Sequence, residues 1–246
     1  MINLALSLLG SFIVFGLLRF TGLVPTIGAI FPAIVAGIGG YVLLARRSGK
    51  QLELLMKAAQ KELAARRPDK AIEIMKAGFA LSRWQFLVDS QLHGQIGTLL
   101  YVQKKFDEAE PHLQKAWQKI WHAKAMLAAQ HYRRKEWTKM EEIFDATLSA
   151  NKGEGLLYAI YAWCEDKRGE KKKAVEILQR GVTEIPADEK LKTLLNRAQN
   201  DKRMKMDAYG EQWYQFWLET PPQMQTGGFG GGGFGVRGTF GGRRGR

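Results

Sequence analysis

The sequence predicts an all-α protein in three parts: an N-terminal transmembrane helical hairpin, a stack of helix pairs, and a disordered Gly-rich tail. Three observations carry this. Two long apolar runs open the chain, with Arg19 as the only charge in the first 45 positions. Apolar and small residues then recur at helical spacing through the middle of the chain. The last residues are mostly glycine, which cannot build a core.

Residues 2–18 form an uninterrupted apolar run and residues 27–45 a second one. At 1.5 Å per residue, such runs approach the roughly 30 Å of a bilayer's hydrocarbon. The connection between them contains Gly22 and Pro25 and is short, so the pair reads as a hairpin whose ends share one side of the membrane. A cleaved signal peptide fits less well. The extreme N-terminus carries no Lys or Arg, and a second apolar run follows at once. Arg46, Arg47, Lys50, Lys57 and Lys61 flank the exit of the second run, against Arg19 in the turn, which predicts a cytoplasmic repeat region. Ser7 with Ser11, Ala33 with Gly37, and Ala36 with Gly40 are small residues four apart, suited to close packing within the hairpin rather than between molecules. Pro32, with Gly28, Gly37, Gly39 and Gly40, would let the second helix bend or re-enter. Residues 1–49 are therefore assigned to the hairpin.

Residues 50–187 are assigned to helix pairs. The stretch at 106–117, FDEAEPHLQKAW, aligns Phe106, Ala109, Leu113 and Ala116 on one face, with two small members that admit a neighbouring helix. The stripe recurs at Trp137, Met140, Phe144 and Thr147, and again at Lys171, Ala174, Leu178 and Gly181, followed by Pro186. A weaker copy opens at Pro68, Ala71, Met75 and Gly78. The intervals from Ala71 to Ala109, to Met140 and to Ala174 are 38, 31 and 34 residues. In this spacing the chain resembles the tetratricopeptide repeat family, whose unit is a helix-turn-helix of roughly 34 residues. In the second copy, Ile96, Gly97 and Leu100 stand where the family pattern has Leu, Gly and Tyr. The fourth copy matches at Tyr161, Ala162, Ala174, Leu178 and Pro186.

The resemblance implies an α-solenoid whose first helices line a groove for partner proteins. It places Gln91, Tyr101, His122, Tyr132, Arg133 and Trp163 on that groove. Members that clamp a C-terminal carboxylate use several Lys, Arg and Asn there. Only Arg133 is present here, so that clamp is not expected.

Residues 188–222 are read as a capping helix followed by an aromatic amphipathic helix. Met206, Tyr209, Trp213, Phe216 and Trp217 would share one face, stopped by Pro221 and Pro222. Packing on the stack is its favoured role, ahead of a partner contact or a membrane-interface helix. The tail, residues 223–246, sets Phe229, Phe234 and Phe240 among Arg237, Arg243, Arg244 and Arg246, a composition suited to contacts with proteins or phosphates.

Net charge is +13, with both ends purely basic, which suits an anionic surface. The single cysteine, Cys164, cannot form an internal disulfide, so a reducing compartment is expected. His93, His112, His122 and His131 lack metal-ligand spacing, and neither a phosphate loop nor a nucleophile elbow is present. No cofactor, no metal and no enzymatic activity are expected. The sequence supports a membrane scaffold that organises proteins, with a homo-oligomer or larger complex as a further expectation. A structural subunit of a membrane assembly is the neighbouring reading. A nucleic-acid tether through the tail is the less favoured alternative.

Overall fold

A computed structural model describes residues 2–21, 25–84 and 87–220. The expected tail contacts at Phe229, Phe234, Arg237, Phe240, Arg243, Arg244 and Arg246 lie outside the described residues. Those described are helical with short connections, and no strand occurs among them.

The chain opens with α1 (Ile2–Phe20) and α2 (Thr26–Ala64), packed against each other along the apolar part of α2. Both are long and apolar enough to cross a membrane. Their small residues meet as the spacing predicts. The Ser11 hydroxyl donates to the Ala33 carbonyl at 2.6 Å, and a Cβ on Gly37 would come within 3.1 Å of Ser11 Cβ. At the open end, the Asn3 amide donates to the Ser48 hydroxyl at 3.0 Å, both side chains buried. The outer faces carry exposed Leu, Ile, Val and Phe, including Phe12 at 72% and Phe31 at 73% exposure.

Two expectations change here. First, α2 runs through Pro32 unbroken, so it does not re-enter. Pro32, seven residues in, forgoes one backbone hydrogen bond and crowds the carbonyl of Gly28, yet the helix continues on both sides of it. Second, α2 has 39 residues, roughly 58 Å at 1.5 Å per residue, so the boundary drawn at residue 49 falls inside one helix. Its C-terminal half, through Leu52, Met56, Ala59 and Leu63, packs into the helical body. The hairpin and the first helix pair therefore share an element.

The body continues with α3 (Pro68–Ala77), the short α4 (Phe79–Ser82), α5 (Val88–Val102), α6 (Phe106–Lys115), α7 (Trp121–Arg133), α8 (Trp137–Ala150), α9 (Gly155–Arg168), α10 (Lys171–Glu184) and α11 (Glu189–Gln199). Consecutive helices pair as α2 with α3, α5 with α6, α7 with α8, and α9 with α10, and α11 packs on α9 and α10. The first helices also touch in series: α5 meets α7, and α7 meets α9.

Each pair turns through the same local geometry. Arg66, Lys104, Lys135 and Gly169 all have positive φ, each five residues before Ala71, Ala109, Met140 or Ala174. The residue after each donates its N–H back across the turn, as Lys105 does to Leu100 and Glu136 to His131, the bond that closes a left-handed helix C-cap. Asp188 caps α11, its carboxylate accepting from the backbone N–H groups of Lys190 and Leu191.

Small residues set the approach within pairs. Ala109 is fully buried, and a Cβ on Gly97 would stand 2.9 Å from Leu113 Cδ2 and 3.0 Å from its backbone nitrogen. Gly181 faces the Tyr158 ring in the same way. Phe144 and Tyr161 stack between α8 and α9 with ring centres 4.7 Å apart.

The expected aromatic amphipathic helix is not one helix. Residues 207–209 make a single 3-10 turn, and α12 spans only Glu211–Tyr214. Gly210, with φ 57°, separates them, and Trp217, with φ 52°, turns the chain again. Glycine is at ease in that region and breaks the helix where the apolar spacing ran through it.

Candidate functional site

The first helices α5, α7 and α9 present one face that their second helices do not cover. The chain's own C-terminal segment, residues 203–219, lies against it. Tyr101, near the end of α5, donates its hydroxyl to the Phe216 carbonyl at 2.7 Å. Arg133, the last residue of α7, donates to the same carbonyl at 2.7 Å and to the Tyr101 hydroxyl oxygen at 3.2 Å. A carbonyl has two lone pairs, so both donors are accommodated. The Arg133 guanidinium also sits 4.4 Å over the Phe106 ring, which holds its fork in place.

Trp163 on α9 packs edge-on against Trp213, ring centres 5.1 Å apart, and Tyr132 tilts against Trp163 at 5.9 Å. Lys104, in the left-handed turn after α5, places its ammonium 4.0 Å over the Trp217 ring. Lys190 on α11 does the same to Tyr209 at 5.0 Å. Met204, Met206, Tyr209, Trp213 and Phe216 are all buried.

The segment is closed on itself as well. Glu219 accepts from Arg203 at 3.0 Å and from the Trp213 indole at 3.1 Å, while Arg197 of α11 donates to the Arg203 carbonyl at 2.7 Å. Burial shapes the electrostatics of the wall. It pushes the Tyr132 phenol up to about 12 and raises the Tyr101 phenol well above its usual range, so both are hydrogen-bond donors at neutral pH. The indole N–H groups of Trp163 and Trp217 are buried without a partner among the described residues.

Four of the six residues assigned to the groove from sequence, Tyr101, Tyr132, Arg133 and Trp163, therefore converge. Tyr101, Arg133 and Trp163 are not open, because the chain's own segment covers them, and Tyr132 packs beside Trp163. Gln91 and His122 do not join them. Each sits in the first turn of its helix, about 15 Å from the far end at helical rise. His122 is instead a packing residue beside Trp121, and burial pushes its pKa down to about 4. Of the aromatic residues assigned to 205–220, Tyr209, Trp213 and Phe216 are buried and Trp217 is half-buried, all turned toward the body. Sequence reasoning missed Lys104, Phe106, Arg197, Arg203 and Glu219. Only the charges bracketing the aromatic run, Arg203 and Glu219, offered a signal.

No family model, curated protein or solved structure matches the chain.

Elsewhere, chemistry-bearing side chains serve packing. Glu165, fully buried on α9, pairs with Arg168 at 2.6 Å and Lys173 at 3.5 Å, and both cations also reach Glu141 on α8. Burial raises the Glu165 pKa, which marks a structural knot tying α8, α9 and α10 together. Cys164 is buried, and its thiol is held well above the usual range, so it is a poor nucleophile. No group of three metal-ligating side chains occurs among the described residues.

Proposed function

We propose that the protein is a membrane-anchored, tetratricopeptide-like scaffold that holds peptide segments of partner proteins at the cytoplasmic face of a membrane, a binding rather than a catalytic role. One observation carries the proposal: the face formed by α5, α7 and α9 already grips a peptide, the chain's own residues 203–219. Its grip has two parts, a main-chain carbonyl fixed by Tyr101 and Arg133 and an aromatic side chain seated on Trp163. Both parts would serve any aromatic peptide, since backbone carbonyls are common to all. The unpartnered Trp163 indole is a further donor that another peptide's carbonyl could take.

The repeat reading is supported by the recurring left-handed turns and by Ala71, Ala109 and Ala174, buried at the same distance after the turn in three of the four pairs. The membrane reading is supported by the length and outward apolarity of α1 and α2. Arg46 and Arg47 at the end of the span support the cytoplasmic orientation.

The test uses a chain ending at Lys202, purified in detergent, and a labelled peptide of residues 203–220. The peptide binds in trans, and Arg133→Gln weakens it about tenfold or more, because a hydrogen bond to a charged donor contributes about 1.5–3 kcal/mol. A folded truncated chain that leaves the peptide free in solution contradicts the proposal. Complexes recovered with the full chain survive nuclease on this reading; their loss would favour the nucleic-acid tether.

A further inference from the structure

The base of α1 is bound to the helical body at a point that the pairing of helices does not require. An α-helix leaves its first N–H groups without intrahelical partners, and at the edge of a bilayer those groups need acceptors. Here the Ile2 N–H donates to the Arg83 carbonyl at 2.9 Å and the Asn3 N–H to the Trp84 carbonyl at 3.3 Å. Asn3 in turn bonds Ser48 on α2. Residues 2, 3, 48, 83 and 84 therefore lie at one level, where the apolar surface of the hairpin ends.

Three features of that level point one way. Arg46 and Arg47 are exposed there, half a turn before Ser48. Trp84 is exposed at 42%, one of two exposed indoles on the described body with Trp117, and the one that lies at the base of the hairpin. The exposed apolar surface of Leu4, Leu6 and Leu8 begins beside it and continues along α1. Tryptophan favours the headgroup layer, where its ring is half in hydrocarbon and its N–H is wet, and arginines there attract anionic headgroups.

We propose that α4 with Arg83 and Trp84 forms a second membrane contact, seated in the headgroup layer of an anionic bilayer beside the hairpin. It fixes the tilt of the helical body against the membrane. This rests on the membrane reading of α1 and α2, and adds to it a contact made by the body itself. The occupant is lipid because the surface is continuous with the apolar hairpin and its flanking charges are positive.

The test places the unsubstituted full chain in vesicles of phosphatidylcholine with about a third phosphatidylglycerol. Two photoreactive lipids are used, one with its diazirine near the glycerol and one with it at the chain end, and adducts are mapped by mass spectrometry. The chain-end lipid marks α1 and the first half of α2 alone. The glycerol-level lipid marks residues 79–84 several-fold more than the exposed faces of α8 and α10. Hairpin adducts with none at 79–84, or with α8 and α10 marked equally, overturn the headgroup contact and leave the anchor standing. An unmarked hairpin overturns the anchor and this contact with it.

Discussion

The hairpin and the helical body are built from the same element with opposite polarity. In α1 and the N-terminal part of α2 the buried side chains are Asn3, Ser7, Ala29, Ala33 and Ser48, while Phe12, Leu17, Phe31 and Ile38 face outward. In the body the buried set adds Leu, Ile, Met, Tyr, Phe and Trp to its alanines, and apart from Lys124 and Glu165 the Lys, Arg, Asp and Glu side chains face outward or lie partly covered. The difference is the one expected if the body faces water and the hairpin, as proposed, faces lipid. In water, apolar burial drives helices together. In lipid it cannot, and helices associate through close approach of small residues and a few internal hydrogen bonds. The Ser11–Ala33 bond and the Gly37 contact have the form of the second regime, and the Phe144–Tyr161 stack that of the first.

The sharpest way to break this comparison is to place the same charge in both regions. Ile160→Asp puts a carboxyl at a fully buried body position and is expected to cost about 4 kcal/mol or more, unfolding the body. Phe12→Asp changes a residue exposed in the structure, and the body's melting transition should not move. It should instead impair membrane integration, since an aspartate at mid-span costs about 2.5–3.5 kcal/mol. Equal behaviour of the two variants in a melt and a membrane-partition assay would remove the distinction.

Next in size is the covering segment. Trp213 is fully buried against Trp163, and Trp213→Ala should cost about 3–5 kcal/mol by thermal denaturation. A change near zero would mean that residues 203–219 are not part of the folded body.

Glycines sharpen the comparison on a finer scale. Gly97→Ala forces a methyl against Leu113 and should cost about 1–3 kcal/mol, whereas Gly39 has open space and Gly39→Ala should leave the hairpin intact. Titration comes last. His93 and His112 meet through their Nδ1 atoms at 2.9 Å, and burial lowers both pKa values. His122 is lowered to about 4 by burial. With folded pKa values below the unfolded 6.5, this stability is fully present above pH 6.5 and is lost as pH falls toward 4. Melting temperature should therefore decline over that window, less so in His122→Gln.

How legible was this in the sequence? The hairpin's inner face was, because small residues four apart have few other uses in an apolar run, and Ser11 does meet Gly37. The buried stripe of α6 was too, with Ala109 and Leu113 fully buried as the spacing requires. The continuity of α2 was open to reading, since only Ser48 and Gly49 interrupt the good helix formers from Ala45 to Ala65. The turns could not. Three of the four left-handed residues between paired helices are Arg66, Lys104 and Lys135, which carry no glycine signal.

The site was half legible. The positions of Tyr101, Tyr132, Arg133 and Trp163 followed from the repeat resemblance. Their occupant did not, because apolar spacing at 206–217 fits a helix and a chain of short turns equally well, and only Gly210 spoke for the turns. Gln91 and His122 failed because a shared helix face says nothing about which end of the helix a site occupies.

The measurement that reaches the opposed polarities most directly is extraction of the full chain from membranes with alkaline carbonate, beside a chain beginning at Lys50. The full chain should remain in the pellet and the shortened chain in the supernatant. Release of the full chain into the supernatant would mean that the outward-facing leucines and phenylalanines of α1 and α2 are covered by something other than lipid.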